Sequence, residues 1–233
     1  MLQYRSFIEK ILATKLLMLR SITLAAAFIL ILNACQVSSL SSRFFELSSG
    51  EVIFQDDFSN PNSGWVNLTN ENYGILDYFD GYYRVEVQGD HQMLWTGPGM
   101  NFSDVRLEAD SIKVIGSPDD IYGVVCRGAD QDNFYFFVIS SDGYYGVGKM
   151  INGIQSLIDL PGMLPSEVIS QDKAKNHLRA DCVADRLDFY VNGQRLASVK
   201  DSELTKGDVG VIAGNLKNNQ TVVLFDNFSV LNP

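Results

Sequence analysis

The sequence predicts an all-β protein, a two-sheet antiparallel jelly-roll sandwich that begins near Glu51 and follows an N-terminal signal peptide. Three observations carry this prediction. From residue 51 onward apolar residues recur at every second position in short runs, the pattern of strands with one buried face. No run of useful length spaces them three and four apart, as an amphipathic helix requires. Gly, Asn, Asp and Pro punctuate the runs where short turns would fall.

VIFQDDF (52–58) is the first expected strand, followed by YYRVEV (82–87). VRLEADSIKV (105–114) alternates clearly: Val105, Leu107 and Ala109 share one face, and Glu108 and Asp110 share the other. IYGVVCR (121–127) and NFYFFVIS (133–140) form an expected hairpin, and a Ser-Asp-Gly turn leads on to YYGVGKM (144–150). MLPSEVIS, near Met163, reads as one helical turn. NHLRADCV (176–183), RLDFYVNG (186–193) and QRLASVK (194–200) come next, the last two joined at Asn-Gly. DVGVIAG (208–214) and TVVLFDNFSV (221–230) close the series. Eleven short strands suit a sandwich or jelly roll.

VIFQDDFS near the start of the domain echoes VLFDNFS at its end. Pairing the first and last strands would explain the echo, because it removes an exposed edge. Asp57 and Asp226 would then approach each other, either sharing a structural calcium or standing as two solvated loop acids.

Ahead of the domain, MLRSITLAAAFILILNAC runs from Met18 to Cys35. Its apolar stretch, Ile22 to Leu32, is shorter than the ~20 residues that span a bilayer. A basic residue, a short apolar run and a small-residue close have the proportions of a signal peptide, residues 1–34, with Met18 the more natural start. The closing LNAC resembles a bacterial lipobox, which implies lipidation of Cys35; an uncleaved anchor or a plain secreted protein is the alternative. Acyl chains contribute ~0.8 kcal/mol per buried methylene, so several chains on one cysteine would hold the protein to the extracytoplasmic face of a cell membrane. Six serines among residues 36–50 make residues 35–50 read as a flexible tether, leaving 51–233 as the domain.

The chain has 233 residues, 46% hydrophobic and 20% charged, enough for one domain with a real core. Its 18 basic residues face 28 acidic ones; without residues 1–34 the balance is 14 against 27. Such a surface repels phosphate backbones, which argues against a nucleic-acid partner. In an exported domain, Cys126 and Cys182 form a disulfide if their strands face each other across the core, and otherwise stay as buried thiols. His91 and His177 are too isolated to argue for a metal site.

The hairpin register decides which residues face outward. With Arg127 opposite Asn133, Val125 faces Tyr135 and Gly123 faces Phe137, while Cys126, Val124 and Tyr122 meet Phe134, Phe136 and Val138 in the core. Arg127 and Tyr135 then stand on an outer surface where Gly123 leaves room. Sugar recognition needs flat aromatic faces and planar polar groups, which Tyr135, Arg127, Trp95, Glu108 and Asp110 could supply.

YGVVCRGADQDNFYFFVISSDGYYGVGKMING, with LRADC, LDFYVNG and VGVIAG, resembles the concanavalin A-like lectin/glucanase superfamily over roughly residues 51–232. The likeness is to its domains described as 3-keto-disaccharide hydrolase-like or laminin-G-like, in their lipoprotein versions. It implies a curved sheet whose concave side binds glycans, with Gly123, Arg127 and Tyr135 at matching positions. Laminarinase-like members carry an E-x-D-x-E strand, but here Glu108-x-Asp110 is followed by Ile112, which can neither give nor take a proton. The expected function is therefore a membrane-anchored glycan-binding module without catalysis. A glycosidase acting on a modified disaccharide or glucan, and a structural or protein-binding module, are the alternatives.

Overall fold

The computed structural model describes residues 49–217 and 220–233, and no helix occurs among them. The leader, Cys35 and nearly all of the Ser-rich tether lie outside the described residues. Sixteen strands are described: β1 (Val52–Asp56), β2 (Leu68–Asn70), β3 (Gly74–Phe79), β4 (Tyr82–Val87), β5 (Met93–Thr96), β6 (Val105–Ile115), β7 (Ile121–Asp130) and β8 (Asn133–Ser140) in the first half. β9 (Tyr144–Ile151), β10 (Ile154–Leu157), β11 (Leu164–Pro165), β12 (Asn176–Val183), β13 (Arg186–Val191), β14 (Gln194–Lys200), β15 (Asp208–Gly214) and β16 (Thr221–Leu231) make up the second. They form two antiparallel sheets stacked as a sandwich, which is the expected jelly-roll class.

Sheet A runs β14-β13-β12-β6-β16-β4-β3-β2, with β1 added along β16. Sheet B runs β10-β9-β8-β7-β15-β5, with β11 added along β9. The first and last strands do pair, Gln55 opposite Ser229 and Asp56 opposite Phe228, as their echo predicted. Strict alternation in β6 buries Val105, Leu107 and Ala109 between the sheets and turns Arg106, Glu108 and Asp110 outward. Tyr83, Tyr122, Tyr135, Phe137, Phe189 and Phe225 fill the space between sheets, each buried side chain of this size contributing about 1.5–3 kcal/mol. Asn192-Gly193, with φ of 49° and 83°, closes the β13–β14 hairpin with the left-handed turn that matches strand twist.

Cys126 on β7 and Cys182 on β12 form a disulfide that joins the two sheets through the core. The predicted register of the β7–β8 hairpin is corrected by one residue. Cys126 lies opposite Tyr135, Val124 opposite Phe137 and Gly123 opposite Val138. Two things move it: the turn is tighter, at Gln131–Asp132, and β7 is irregular between Cys126 and Asp130, with Arg127 at φ 52°. A one-residue slip exchanges the two faces of β8. Tyr135 and Phe137 thus enter the core, while Phe134, Phe136 and Val138 form a second apolar cluster on the outer face of sheet B with Trp95, Ile121, Val125 and Ile212. The expected helical turn near Met163 is the two-residue strand β11 followed by one turn, closed by Ile169 N–H donating to the Ser166 carbonyl.

Candidate functional site

The outer face of sheet A is the polar side of the sandwich. Register across five strands sets Tyr190, Arg179, Glu108, Ser229 and Gln55 in one transverse row, from β13 through β12, β6 and β16 to β1. The neighbouring row holds His177, Asp110 and Asp226 on β12, β6 and β16. Both rows follow from alternation: each strand gives its odd or even positions to the core, and what remains here is polar. A cleft of about 570 Å3 adjoins them, lined by Phe54, Gln55, Asp56, Asp57, Asn60, Ser63, Asn227, Phe228 and Ser229.

Asp110 is the hub. One of its oxygens lies 2.9 Å from His177 Nδ1; the other accepts from Lys175 Nζ at 2.6 Å and from Asn227 Nδ2 at 2.9 Å. Burial alone would push the carboxyl up, but the Lys175, His177 and Asn227 contacts together hold it below its ordinary value. It therefore stays a carboxylate and has no proton to give. His177 is fixed from behind, its backbone N–H donating to Asn192 Oδ1 at 2.9 Å while its carbonyl accepts from Asn192 N–H. Its Nε2 faces Glu108 Oε2 at 3.6 Å, beyond hydrogen-bond reach.

Arg179 donates through Nε to Asp181 at 2.8 Å and lies 4.3 Å over the Tyr190 ring. That doubly engaged guanidinium is directed by its own strand and by β13, and Arg106 adds a third donor to the same Asp181. Glu108 is different. It accepts no hydrogen bond among the described residues, and about a quarter of its side chain is exposed, 27%. Beyond Asp110 the next outward position on β6 is Ile112, in register with Leu224, so no third acid continues the row. This arrangement can bind hydroxyls through the Glu108 carboxylate and the side-chain amides of Gln55 and Asn227.

The structure distributes the sequence-predicted residues over three places. Glu108 and Asp110 lie together on the outer face of sheet A. Trp95 is on the opposite side of the sandwich, only 7% exposed, in register with Ile212 and 5.4 Å from the Phe134 ring. Arg127 and Tyr135 are inside. Arg127 is 2% exposed and donates to the carbonyls of Ser103 and Leu204 and to Asp104, so it ties loops together instead of facing outward. The Tyr135 hydroxyl donates to Asp201 at 2.6 Å and accepts from Leu204 N–H at 2.9 Å. Burial, then the bond to Asp201, pushes that phenol up to about 12. Gly123 leaves no room above the sheet, since a Cβ there would collide with the Phe137 carbonyl. The expectation that Gly123, Arg127 and Tyr135 make a ligand surface is therefore corrected, the physical reason being the slipped register.

Asp57 and Asp226 make no hydrogen bond to a common partner among the described residues. Asp226 lies in register with Asp110, whereas Asp57 follows the last residue of β1 and accepts from Ser59 through both its N–H and its hydroxyl. No group of three or more metal-ligating side chains occurs among the described residues. Sequence reading missed His177, Arg179, Tyr190, Gln55 and Ser229. The signal for the first two was present in NHLRADCV, where His177, Arg179 and Asp181 alternate with Leu178, Ala180 and Cys182.

No known family's sequence pattern matches the chain, and no curated protein matches it. Solved structures do. The carbohydrate-binding module CBM66 from Bacillus subtilis is 18% identical with a TM-score of 0.55, over 72% of this chain and 95% of that one. A Bacillus subtilis protein of unknown function with a galectin-like fold is 13% identical with a TM-score of 0.59, over 79% and 97%. The Bacillus licheniformis beta-glucanase is 11% identical with a TM-score of 0.58, over 80% and 100%. At these identities the likeness establishes the fold, and the concanavalin A-like resemblance is borne out at that level.

Proposed function

We propose that the protein binds glycans on the outer face of sheet A without cleaving them, held to the extracytoplasmic side of a membrane by lipid on Cys35. The observation that carries the binding reading is the row Tyr190, Arg179, Glu108, Ser229, Gln55 running into an open cleft, with the Glu108 carboxylate accepting no hydrogen bond among the described residues. Planar amides and carboxylates in a row suit the paired hydroxyls of a sugar. Structural neighbours described as a carbohydrate-binding module and a beta-glucanase support the same reading. The anchor rests on the LNAC close of the leader and on the Ser-rich tether, residues 35–50, ahead of the domain at 51–233.

The test is a glycan array on the full chain, repeated with Glu108→Gln and Gln55→Ala. Losing a hydrogen bond to a charged group costs about 1.5–3 kcal/mol, so Glu108→Gln should weaken binding by ~10- to 100-fold at unchanged thermal midpoint. No signal at millimolar glycan for the wild type overturns the reading. Mass spectrometry of the mature N-terminus should find acylated Cys35, and a mature chain starting elsewhere overturns the anchor.

The Asp110–His177 pair, its Nε2 turned toward Glu108, favours a second reading, hydrolysis of a glycosidic bond. Incubation with a polysaccharide panel separates the two, because turnover abolished by Glu108→Gln would establish the enzyme.

A further inference from the structure

Resting on the glycan-binding reading, the charge distribution of the same groove narrows the ligand. We infer that it selects glycans carrying free amino groups, cationic amino sugars, over their N-acetylated and uronic acid counterparts. The 570 Å3 cleft is lined by the acids Asp56 and Asp57 and by the neutral polar Gln55, Asn60, Asn227 and Ser229, and neither Lys nor Arg lines it. Lys175 and Arg179 are each engaged with a carboxylate other than Glu108, and the His177 ring stands between Asp110 and Glu108, its Nε2 3.6 Å from Glu108. Lys175 is on Asp110 at 2.6 Å, His177 is on Asp110 at 2.9 Å, and Arg179 is on Asp181 and over the Tyr190 ring.

Two carboxylates keep lone pairs for a ligand. Glu108 accepts no hydrogen bond among the described residues and stands in register with Ser229, a cleft residue. Asp57, also on the cleft, uses only Oδ1, on Ser59. Between them, in register, lie Ser229 and Gln55, whose side chains suit hydroxyls. Phe54, half-buried, adds an apolar wall for a pyranose face. An ammonium on the sugar would donate charge-assisted bonds to either carboxylate, the strong kind of hydrogen bond. A uronate would meet the Glu108 and Asp57 carboxylates with no Lys or Arg lining the cleft to offset them, in a chain of formal net charge −10. Acetylation removes both the charge and two of the three donors, so it should forfeit most of the gain.

Calorimetric titration of the full chain with short glucosamine oligomers, the N-acetylated oligomers and oligogalacturonates of equal length tests this. The free amines should bind about tenfold tighter than the acetylated forms or better, a preference of one charge-assisted bond. The preference should shrink at high salt, since the groove is open to solvent. It should fall to within about threefold in the Glu108→Gln/Asp57→Asn variant. Asp57 is exposed, so Asp57→Asn alone supplies the readout if the double variant does not fold. Equal affinity for amine and acetylated forms, or preference for the uronate, overturns the amino-sugar inference and leaves the glycan reading standing. Binding of neutral glycans with none to the amines does the same. Absence of binding to every sugar overturns both.

Discussion

Asn227 donates its side-chain amide to Asp110 at 2.9 Å, reaching from the irregular stretch of β16 between Asp226 and Ser229 to the middle of β6. The irregularity has a use there: it turns an exposed asparagine toward a half-buried carboxylate that already faces a lysine and a histidine.

Removing that donor should move Asp110 upward. In Asn227→Ala the carboxyl loses one of the three contacts that oppose its burial, so its titration midpoint should rise back toward the ordinary carboxylate range. Carbon-detected NMR across the acid range reads the shift directly, and an unmoved midpoint would mean that Lys175 and His177 suffice.

The same carboxyl links stability to acid. Its folded pKa lies below the unfolded one, so its contribution is fully present above pH 3.8 and is lost as pH falls through the lower folded value. Denaturation midpoints measured from neutral pH down to strong acid should show Asp110→Asn losing stability near neutrality and converging on the wild type at the acid end.

Tyr135 gives the opposite sign of pH dependence. Its phenol is held protonated to about 12 in the fold against 10.0 outside it, so its contribution is complete below pH 10 and disappears as pH rises through about 12. Tyr135→Phe removes bonds to Asp201 and Leu204 and should cost about 1–2 kcal/mol at pH 7 by urea denaturation. Glycan binding by the folded variant should be unchanged, because the ring faces the core.

Arg127 should behave as a buried structural cation. Arg127→Ala leaves the carbonyls of Ser103 and Leu204 without their donor and Asp104 without its guanidinium, an expected loss of about 3 kcal/mol. Arg127→Lys retains the charge but not the fork that reaches three acceptors, and should recover only part of it. Chemical denaturation of the three proteins checks the order.

The Cys126–Cys182 bridge closes a separation of 56 residues, for which the chain-entropy account gives about 4 kcal/mol. The double Cys→Ala variant should lose about that amount, whereas the wild type under mild reductant should hold, both sulfurs lying at 0% exposure.

Alternation made much of this legible. VRLEADSIKV declared which of its residues face outward, and the echo of VIFQDDFS in VLFDNFS declared the β1–β16 pair. The β7–β8 hairpin was misread because its register depends on a local irregularity at Arg127, and a positive φ at a non-glycine residue leaves no mark in sequence. One residue of slip was enough to send Tyr135 from surface to core. MLWT at β5 and LTN at β2 are too short to show a period, and GILDYF at β3 breaks its alternation at Tyr78 and Phe79. The candidate site was half visible. Glu108 and Asp110 stood out, but His177 lies 67 residues from the aspartate it contacts, and only the β6–β12 pairing brings the two together.

The β1–β16 pair also makes the two ends of the domain meet. Gly50 N–H donates to the Asn232 carbonyl at 2.7 Å, and Asn232 N–H to the Glu51 carbonyl at 2.8 Å. A few residues of linker would splice these ends, and the exposed Asn152-Gly153 turn offers a place to cut new ones. A circularly permuted domain built in this way would keep every strand neighbour it has now. The chain that precedes residue 49 would then enter at the β9–β10 turn of sheet B and no longer at the strand beside the cleft, so the outer face of sheet A would be turned to a different angle from that entry point.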